Sequence, residues 1–211
     1  MKTLIIAALA AISLGLTAKS ALAQVPEIEF NLVAQHKFLN CLGDEDGDGP
    51  APVAQVIVQR GELNDIMIFR AHNLRPNLAF DLFTIEHSNL LSNGQPDPSF
   101  KNFGLAWYQT DVQADSHGDA EVAVKTILLD QIFGFDPSAN LHPTHTFHVG
   151  IWFNKPEDAA ACGFDVTKPT PFNGEQHAGP NAMISLPNSK TNLGPLCTGS
   201  RKQGSTFICN E

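Results

Sequence analysis

The chain has 211 residues and a formal net charge of −9 at pH 7, because 22 Asp and Glu outnumber 13 Lys and Arg. An acidic surface repels nucleic-acid phosphates and anionic lipids, so we expect no nucleic acid and no membrane surface among the partners. The length suits a single domain with a buried hydrophobic core of its own.

The first 23 residues have the pattern of a secretory signal peptide. Lys2 supplies a positive start, residues 4–16 are mostly apolar, and Ala21 and Ala23 are the small residues that a signal peptidase recognises. The apolar run is shorter than the ~20 residues that a permanent membrane helix needs. We expect cleavage near Ala23 and a secreted protein, periplasmic or extracellular, with no membrane span. An uncleaved N-terminal anchor is the alternative.

The rest of the chain divides into an N-terminal arm with an acidic loop at 24–50, a β domain at 51–197 and a C-terminal tail at 198–211. In the β domain, runs rich in Val, Ile and Phe alternate with turns rich in Gly, Asn, Asp and Pro, as expected of short strands. The predicted strands are 54–60, 66–72, 78–87, 103–112, 119–126, 145–153 and 182–186.

Two of these strands show a period of two. In 119–126, the apolar Ala120, Val122 and Val124 alternate with polar residues such as Glu121, which predicts a half-buried antiparallel strand. In 145–153, the same spacing predicts four inward side chains: Phe147, Val149, Ile151 and Phe153.

Helix signals are few. Residues 156–161 begin with a proline and are followed by Gly163, which predicts one short helix, and 128–133 offers a second turn. The predicted fold class is all-β: an antiparallel Ig-like β-sandwich with long irregular loops and one or two short helical turns. The likeness to Ig-like extracellular modules is architectural and implies no particular function.

Four cysteines follow the predicted cleavage site: Cys41, Cys162, Cys197 and Cys209. An even number in an exported chain predicts two disulfides. Cys197 and Cys209 bracket a short polar tail that a local bridge can close, which leaves Cys41 to pair with Cys162. Pairing of Cys162 with Cys197 is the alternative.

The acidic loop offers a candidate calcium site. Asp44, Asp46 and Asp48 alternate and are followed by Gly49, as in the first half of a calcium-binding loop. Gln55 occupies the position where an EF-hand has a bidentate Glu, so a calcium loop here is of another type. A solvated acidic linker is the alternative.

The histidines offer a second candidate metal site, for zinc or copper. Its ligands would be His87, His145, His148 and His177, drawn from strand ends and loops. His145 and His148 point to opposite faces of a regular strand, so such a site needs ligands from several strands. Ordinary surface histidines are the alternative.

Trp152 lies on the opposite face of its strand from Phe147, Val149 and Ile151. If exposed, it could stack on a sugar ring or a partner. The alternative is that the long loop 154–180 covers it.

Signals for catalysis are weak. The G-x-S-x-G motif of nucleophilic serines is absent from the sequence. Several acids lie near strands and could form a pair for glycoside cleavage, but the sequence gives no separation between them. These acids are Asp81, Glu86, Asp111 and Asp130.

Taken together, these patterns favour a secreted, non-catalytic binding or structural module of the extracellular space or cell surface. Its partner would be an extracellular ligand or protein that the sequence does not identify. The alternative function is a metal-binding protein or metal-dependent enzyme that uses the His-rich strand region. Possible calcium and, less favoured, zinc or copper are the ions that the residues suggest.

Overall fold

The structure is a computed structural model, and it describes residues 27–43, 48–61, 64–126, 146–168, 170 and 178–197, together with the backbone of 200–203 and 206–209. The predicted signal peptide at 1–23 and the predicted turn at 128–133 lie outside the described residues. In the part that is described, no helix is long and apolar enough to cross a membrane.

The described residues form eleven strands and three short helical segments. In chain order the strands are β1 (Glu27–Ala34), β2 (Val53–Gln59), β3 (Asp65–His72), β4 (Ala79–Ile85), β5 (Ala106–Gln113), β6 (Ala120–Thr126), β7 (Thr146–Phe153), β8 (Asn181–Ser185), β9 (Leu196–Cys197), β10 (Ser200–Gln203) and β11 (Thr206–Cys209). The helical segments are α1 (Leu39–Leu42) and the 3-10 helices His36–Phe38 and Pro156–Cys162. Every strand predicted from the sequence is present, within three residues at either end.

Strands β1 to β9 form one antiparallel sheet in the order β5-β4-β7-β8-β1-β2-β3-β6, with β9 paired to β7. The outermost strands β5 and β6 are consecutive in the chain and are joined by residues 114–119, so the two edges of the sheet approach each other. The sheet is therefore nearly closed and barrel-like. Strands β10 and β11 form a separate hairpin.

The antiparallel all-β prediction is confirmed, whereas the specific Ig-like sandwich is not. The difference has a physical origin. Local periodicity identifies strands, but the order of strands depends on pairs that are distant in sequence, such as β1 with β8 and β4 with β7.

Strand β1 occupies a central place in this sheet, between β2 and β8. The sequence analysis assigned its residues to an arm ahead of the β domain. Its own alternation explains the strand, because Ile28 and Leu32 are buried while Glu29 points outward and accepts a hydrogen bond from Gln55 (2.8 Å).

The inner core is formed by the concave face of the sheet. The prediction for β7 is confirmed: Phe147, Val149, Ile151 and Phe153 are all fully buried. Side chains of this size each contribute about 1.5–3 kcal/mol when they leave water.

A second group of buried side chains, which we call the outer cluster, lies on the opposite face of β4, β7 and β8. Its members are Phe83, Ile85, Leu90, Trp152 and Ile184, with Phe103 packed against them. Strand β7 is thus buried on both faces, so the alternation of buried and exposed residues expected of a half-buried strand is absent from it.

The outer cluster settles the position of Trp152, which is completely buried. Its ring makes edge contacts with Phe83 (5.4 Å between centroids) and Phe103 (5.0 Å). Among the described residues, Leu90 and Phe103 of the segment 86–105 supply part of the cover, whereas some of the loop 154–180 lies outside the described residues. Gly150 provides the room, because a Cβ at that position would lie 2.9 Å from the Trp152 ring.

The predicted disulfide between Cys41 and Cys162 is present and joins α1 to the 3-10 helix Pro156–Cys162. Because Cys162 is bonded to Cys41, the alternative pairing of Cys162 with Cys197 is wrong, although Cys197 is also disulfide-bonded. The predicted short helix is confirmed as this 3-10 helix, with proline in its first turn and Gly163 at φ 82° after it.

Candidate functional site

An open pocket of about 320 Å³ adjoins the outer cluster, and we call it the His148 pocket. Its walls come from residues 86–102, from the start of β7 and from residues 187–194. Most of the side chains that line it are polar, and they include Glu86, His87, Asp97, Lys101, Asn102 and His148. The pocket therefore combines charges of both signs with uncharged hydrogen-bonding groups.

His148 is held rigidly in β7, directly across from Ile85 of β4, and is only 3% exposed. Its Nδ1 lies 3.0 Å from the backbone oxygen of Ser185 and 3.0 Å from the hydroxyl oxygen of the same residue. A backbone oxygen can only accept, so Nδ1 carries the proton and donates it. The Nε2 atom of the neutral ring then holds a lone pair.

The environment of His148 keeps this ring neutral. Burial lowers the pKa of His148 to about 4; the hydrogen bond with the Ser185 backbone opposes this effect, and the nearby His87 adds to it. At neutral pH the ring is therefore an acceptor at Nε2 and a donor at Nδ1.

His87 and Glu86 follow the end of β4 at the rim of the pocket. The His87 ring is more than half exposed, and its Nε2 lies 3.7 Å from Oε1 of Glu86. The second oxygen of Glu86 accepts a hydrogen bond from the backbone amide of Leu105 (3.0 Å). Gly104, at φ 69°, makes this possible, since a Cβ there would lie 2.3 Å from Oε2 of Glu86.

The loop that forms the wall is ordered by local hydrogen bonds. The Oδ1 atom of Asp97 accepts from the amide (2.8 Å) and the hydroxyl (2.7 Å) of Ser99. These bonds hold the pKa of Asp97 below its usual value, so the carboxylate remains charged. The wall is thus structured before any ligand arrives.

The structure brings together two of the four predicted zinc or copper ligands. His87 and His148 line the same pocket, whereas His145 and His177 lie outside the described residues. The described part of the chain contains no group of three His, Cys, Asp or Glu side chains placed to hold a metal ion.

The predicted calcium loop falls largely beyond what is described. Asp44 and Asp46 lie outside the described residues, and Asp48 is exposed. Calcium binding therefore stays a prediction.

One pair of acids considered in the sequence analysis does meet, away from the pocket. Asp81 of β4 and Asp111 of β5 are register partners. Asp81 is buried and its Oδ1 accepts from Asn154 (2.9 Å), while Asp111 accepts from the Tyr108 hydroxyl (2.8 Å). Burial raises the pKa of Asp81 to about 6; the Asn154 bond opposes the rise and Asp111 adds to it.

Four residues were not predicted from the sequence: Ser185, the hydrogen-bond partner of His148, and the pocket residues Asp97, Lys101 and Asn102. The last three belong to one long loop dense in Gly, Pro and Asn, and such loops often carry function, which was an available signal. Ser185 interrupts an apolar strand, but its contact with His148 spans 37 residues and leaves no local pattern.

Comparison of the chain with protein-family models, with curated proteins and with solved structures gives no significant match.

Proposed function

We propose that the mature chain is an exported, non-catalytic binding domain that takes a small polar ligand in the His148 pocket. Export is supported by the pattern of the first 23 residues and by the Cys41–Cys162 disulfide, because such bonds persist in oxidising compartments. The likeness to Ig-like extracellular modules belongs to the same proposal. The single observation that carries it is the pocket itself, with its polar lining.

The chemistry of the lining favours a compact, neutral molecule with several hydroxyl groups. Glu86 and Asp97 are acceptors and Lys101 is a donor, whereas Asn102 offers both kinds of group. A hydroxyl also donates and accepts, so a polyol can satisfy neighbours of both kinds. The ring of Phe100 gives the lining one apolar surface.

The size of the pocket limits the ligand. About 320 Å³ lies near the lower end of the range for small-molecule sites, which is roughly 300–1,000 Å³. A single sugar ring is of suitable size. A macromolecule could contact only the rim.

The test is an NMR titration of the ¹⁵N-labelled mature protein with D-glucose and, as a matched control, cyclohexanol, which has a six-membered ring with one hydroxyl. We expect D-glucose to shift the amide resonances of His87, Asn102 and Thr146 in a saturable way, and cyclohexanol to leave them unchanged. Lys101→Ala should weaken the D-glucose effect. Equal shifts with both compounds, or none with D-glucose, would refute the proposal.

A further inference from the structure

We propose that the floor of the His148 pocket binds a divalent first-row transition-metal ion, with Zn²⁺ as the reference case, through Nε2 of His148 and the imidazole of His87. The inference deepens the proposed function and rests on it, because it places an ion in the same pocket. The ion's remaining coordination positions would be taken by water or by the ligand's hydroxyl groups.

The orientation of His148 is that of a metal ligand. A metal-binding histidine almost always donates its second ring N–H to a carbonyl or carboxylate, which fixes the ring and its tautomer. His148 does this through Nδ1 and the backbone oxygen of Ser185 at 3.0 Å. The lone pair is consequently at Nε2, the nitrogen left to the pocket that His148 lines.

The His148 ring is buried, and its hydrogen bonds to Ser185 are made by Nδ1. His148 is 3% exposed, and within the described part of the chain its hydrogen bonds go from Nδ1 to Ser185. A bound ion would give Nε2 a partner and would explain a histidine between the apolar Phe147 and Val149.

His87 follows the end of β4, the strand that pairs with the strand of His148. Ile85 is the register partner of His148, and His87 lies two residues further along the same chain segment. Both histidines line the same pocket. The His87 ring is more than half exposed, so it can adjust its rotamer towards an ion.

The charges around the two rings suit a divalent cation. Glu86 lies beside His87, and Asp97 also lines the pocket with a negative charge, while Lys101 adds one positive charge. Two imidazoles favour zinc, copper or nickel over calcium or magnesium, which prefer oxygen ligands. The described residues supply two imidazoles and contain no group of three ligands, so the protein would leave coordination positions of the ion free for water or ligand.

The experiment measures binding of Zn²⁺ alone to the metal-depleted mature protein by calorimetry, without any organic ligand. We expect one site, an affinity lowered about tenfold or more by His87→Ala and by His148→Gln, and no change with His117→Ala. His117 is a matched control because its ring is exposed beside Asp115, outside the pocket. His87→Ala removes an exposed side chain, so this variant should fold normally. It therefore tests the metal site even if the His148→Gln variant does not fold.

Ser185→Ala tests the positioning argument. Loss of an outer-shell partner typically lowers metal affinity about 10–100-fold. Electron paramagnetic resonance of the Cu²⁺ form should show coupling to two nitrogens, falling to one in His87→Ala. Absence of Zn²⁺ binding, or binding unaffected by both His87→Ala and His148→Gln, would overturn the inference. The D-glucose titration repeated with a chelator tests the proposed function separately, so either proposal can fail alone.

Discussion

Asp81 of β4 and Asp111 of β5 face each other across the sheet, one carboxyl group buried and the other exposed. In the described part of the chain no N–H or O–H donor reaches Oδ2 of Asp81, although Asp111 is within hydrogen-bonding reach. Two carboxyl groups can share a hydrogen bond only if one is protonated. Burial raises the pKa of Asp81 to about 6, so below that pH the buried Asp81 is the group that holds the proton.

The Asp81–Asp111 pair makes the free energy of unfolding depend on pH. The pKa of Asp81 is about 6 in the folded protein, against 3.8 for an unperturbed Asp side chain, so the folded state binds the proton more tightly. This tighter proton binding stabilises the folded state by on the order of 3 kcal/mol. The stabilisation is fully present below about pH 4 and is lost as the pH rises through about 6.

We expect Asp81→Asn to remove this dependence, since an amide keeps the shape and does not ionise. Urea unfolding at about pH 4.5 and about pH 8 should show that the wild type loses more free energy of unfolding on going to the higher pH than the variant does. Glu121→Gln, an exposed acid on β6, is the control. Identical pH profiles for wild type and Asp81→Asn would show that Asp81 ionises normally.

Gly150 is expected to be intolerant of any side chain. A Cβ would meet the Trp152 ring at 2.9 Å and the Met183 backbone oxygen at 3.2 Å, so Gly150→Ala should lower the free energy of unfolding by about 1–3 kcal/mol. The double variant Gly150→Ala/Trp152→Phe should show non-additive effects, because the smaller ring relieves the contact. Strictly additive losses in urea unfolding would contradict this packing.

The Cys41–Cys162 disulfide closes a sequence separation of 121 residues. Its removal in Cys41→Ala/Cys162→Ala should cost about 2–5 kcal/mol, because the unfolded chain gains freedom. The inner core is large, so we expect the variant to be weakened yet still to unfold cooperatively. A thermal scan without a cooperative transition would mean that the core depends on the bridge.

Calcium binding at the acidic loop is tested by thermal stability with Ca²⁺ and with chelator. If Asp44, Asp46 and Asp48 hold the ion, Ca²⁺ should raise the melting temperature, and Asp46→Ala should abolish the effect. Glu157→Gln, an exposed acid elsewhere, should retain it. A melting temperature that does not change with Ca²⁺ would indicate that the loop is a solvated linker.

The sequence predicted those features that depend on near neighbours. The inward side of β7, the short helix between Pro156 and Gly163, and the strand at Asp65–His72 all follow from local spacing. The Cys41–Cys162 pairing followed from the tail between the other two cysteines.

Features that depend on contacts between residues distant in sequence could not be predicted from local sequence patterns. Phe103 covers Trp152 from a loop that precedes it by about 50 residues, and Ser185 orients His148 from another strand. The meeting of Asp81 with Asp111 depends on the register between β4 and β5. In each case the position of one residue is set by the strand order of the whole sheet.

The central claim is that His148 presents an unprotonated Nε2 to a ligand pocket. Long-range ¹H–¹⁵N spectra of the histidine rings test it most directly, recorded without ligand and then with D-glucose and with Zn²⁺. We predict a proton on Nδ1 and a lone pair on Nε2 of His148 from about pH 5 to pH 8, with the Nε2 resonance moving when ligand is added. A His148 ring that titrates near its ordinary pKa, or an Nε2 resonance unmoved by both ligands, would contradict the account.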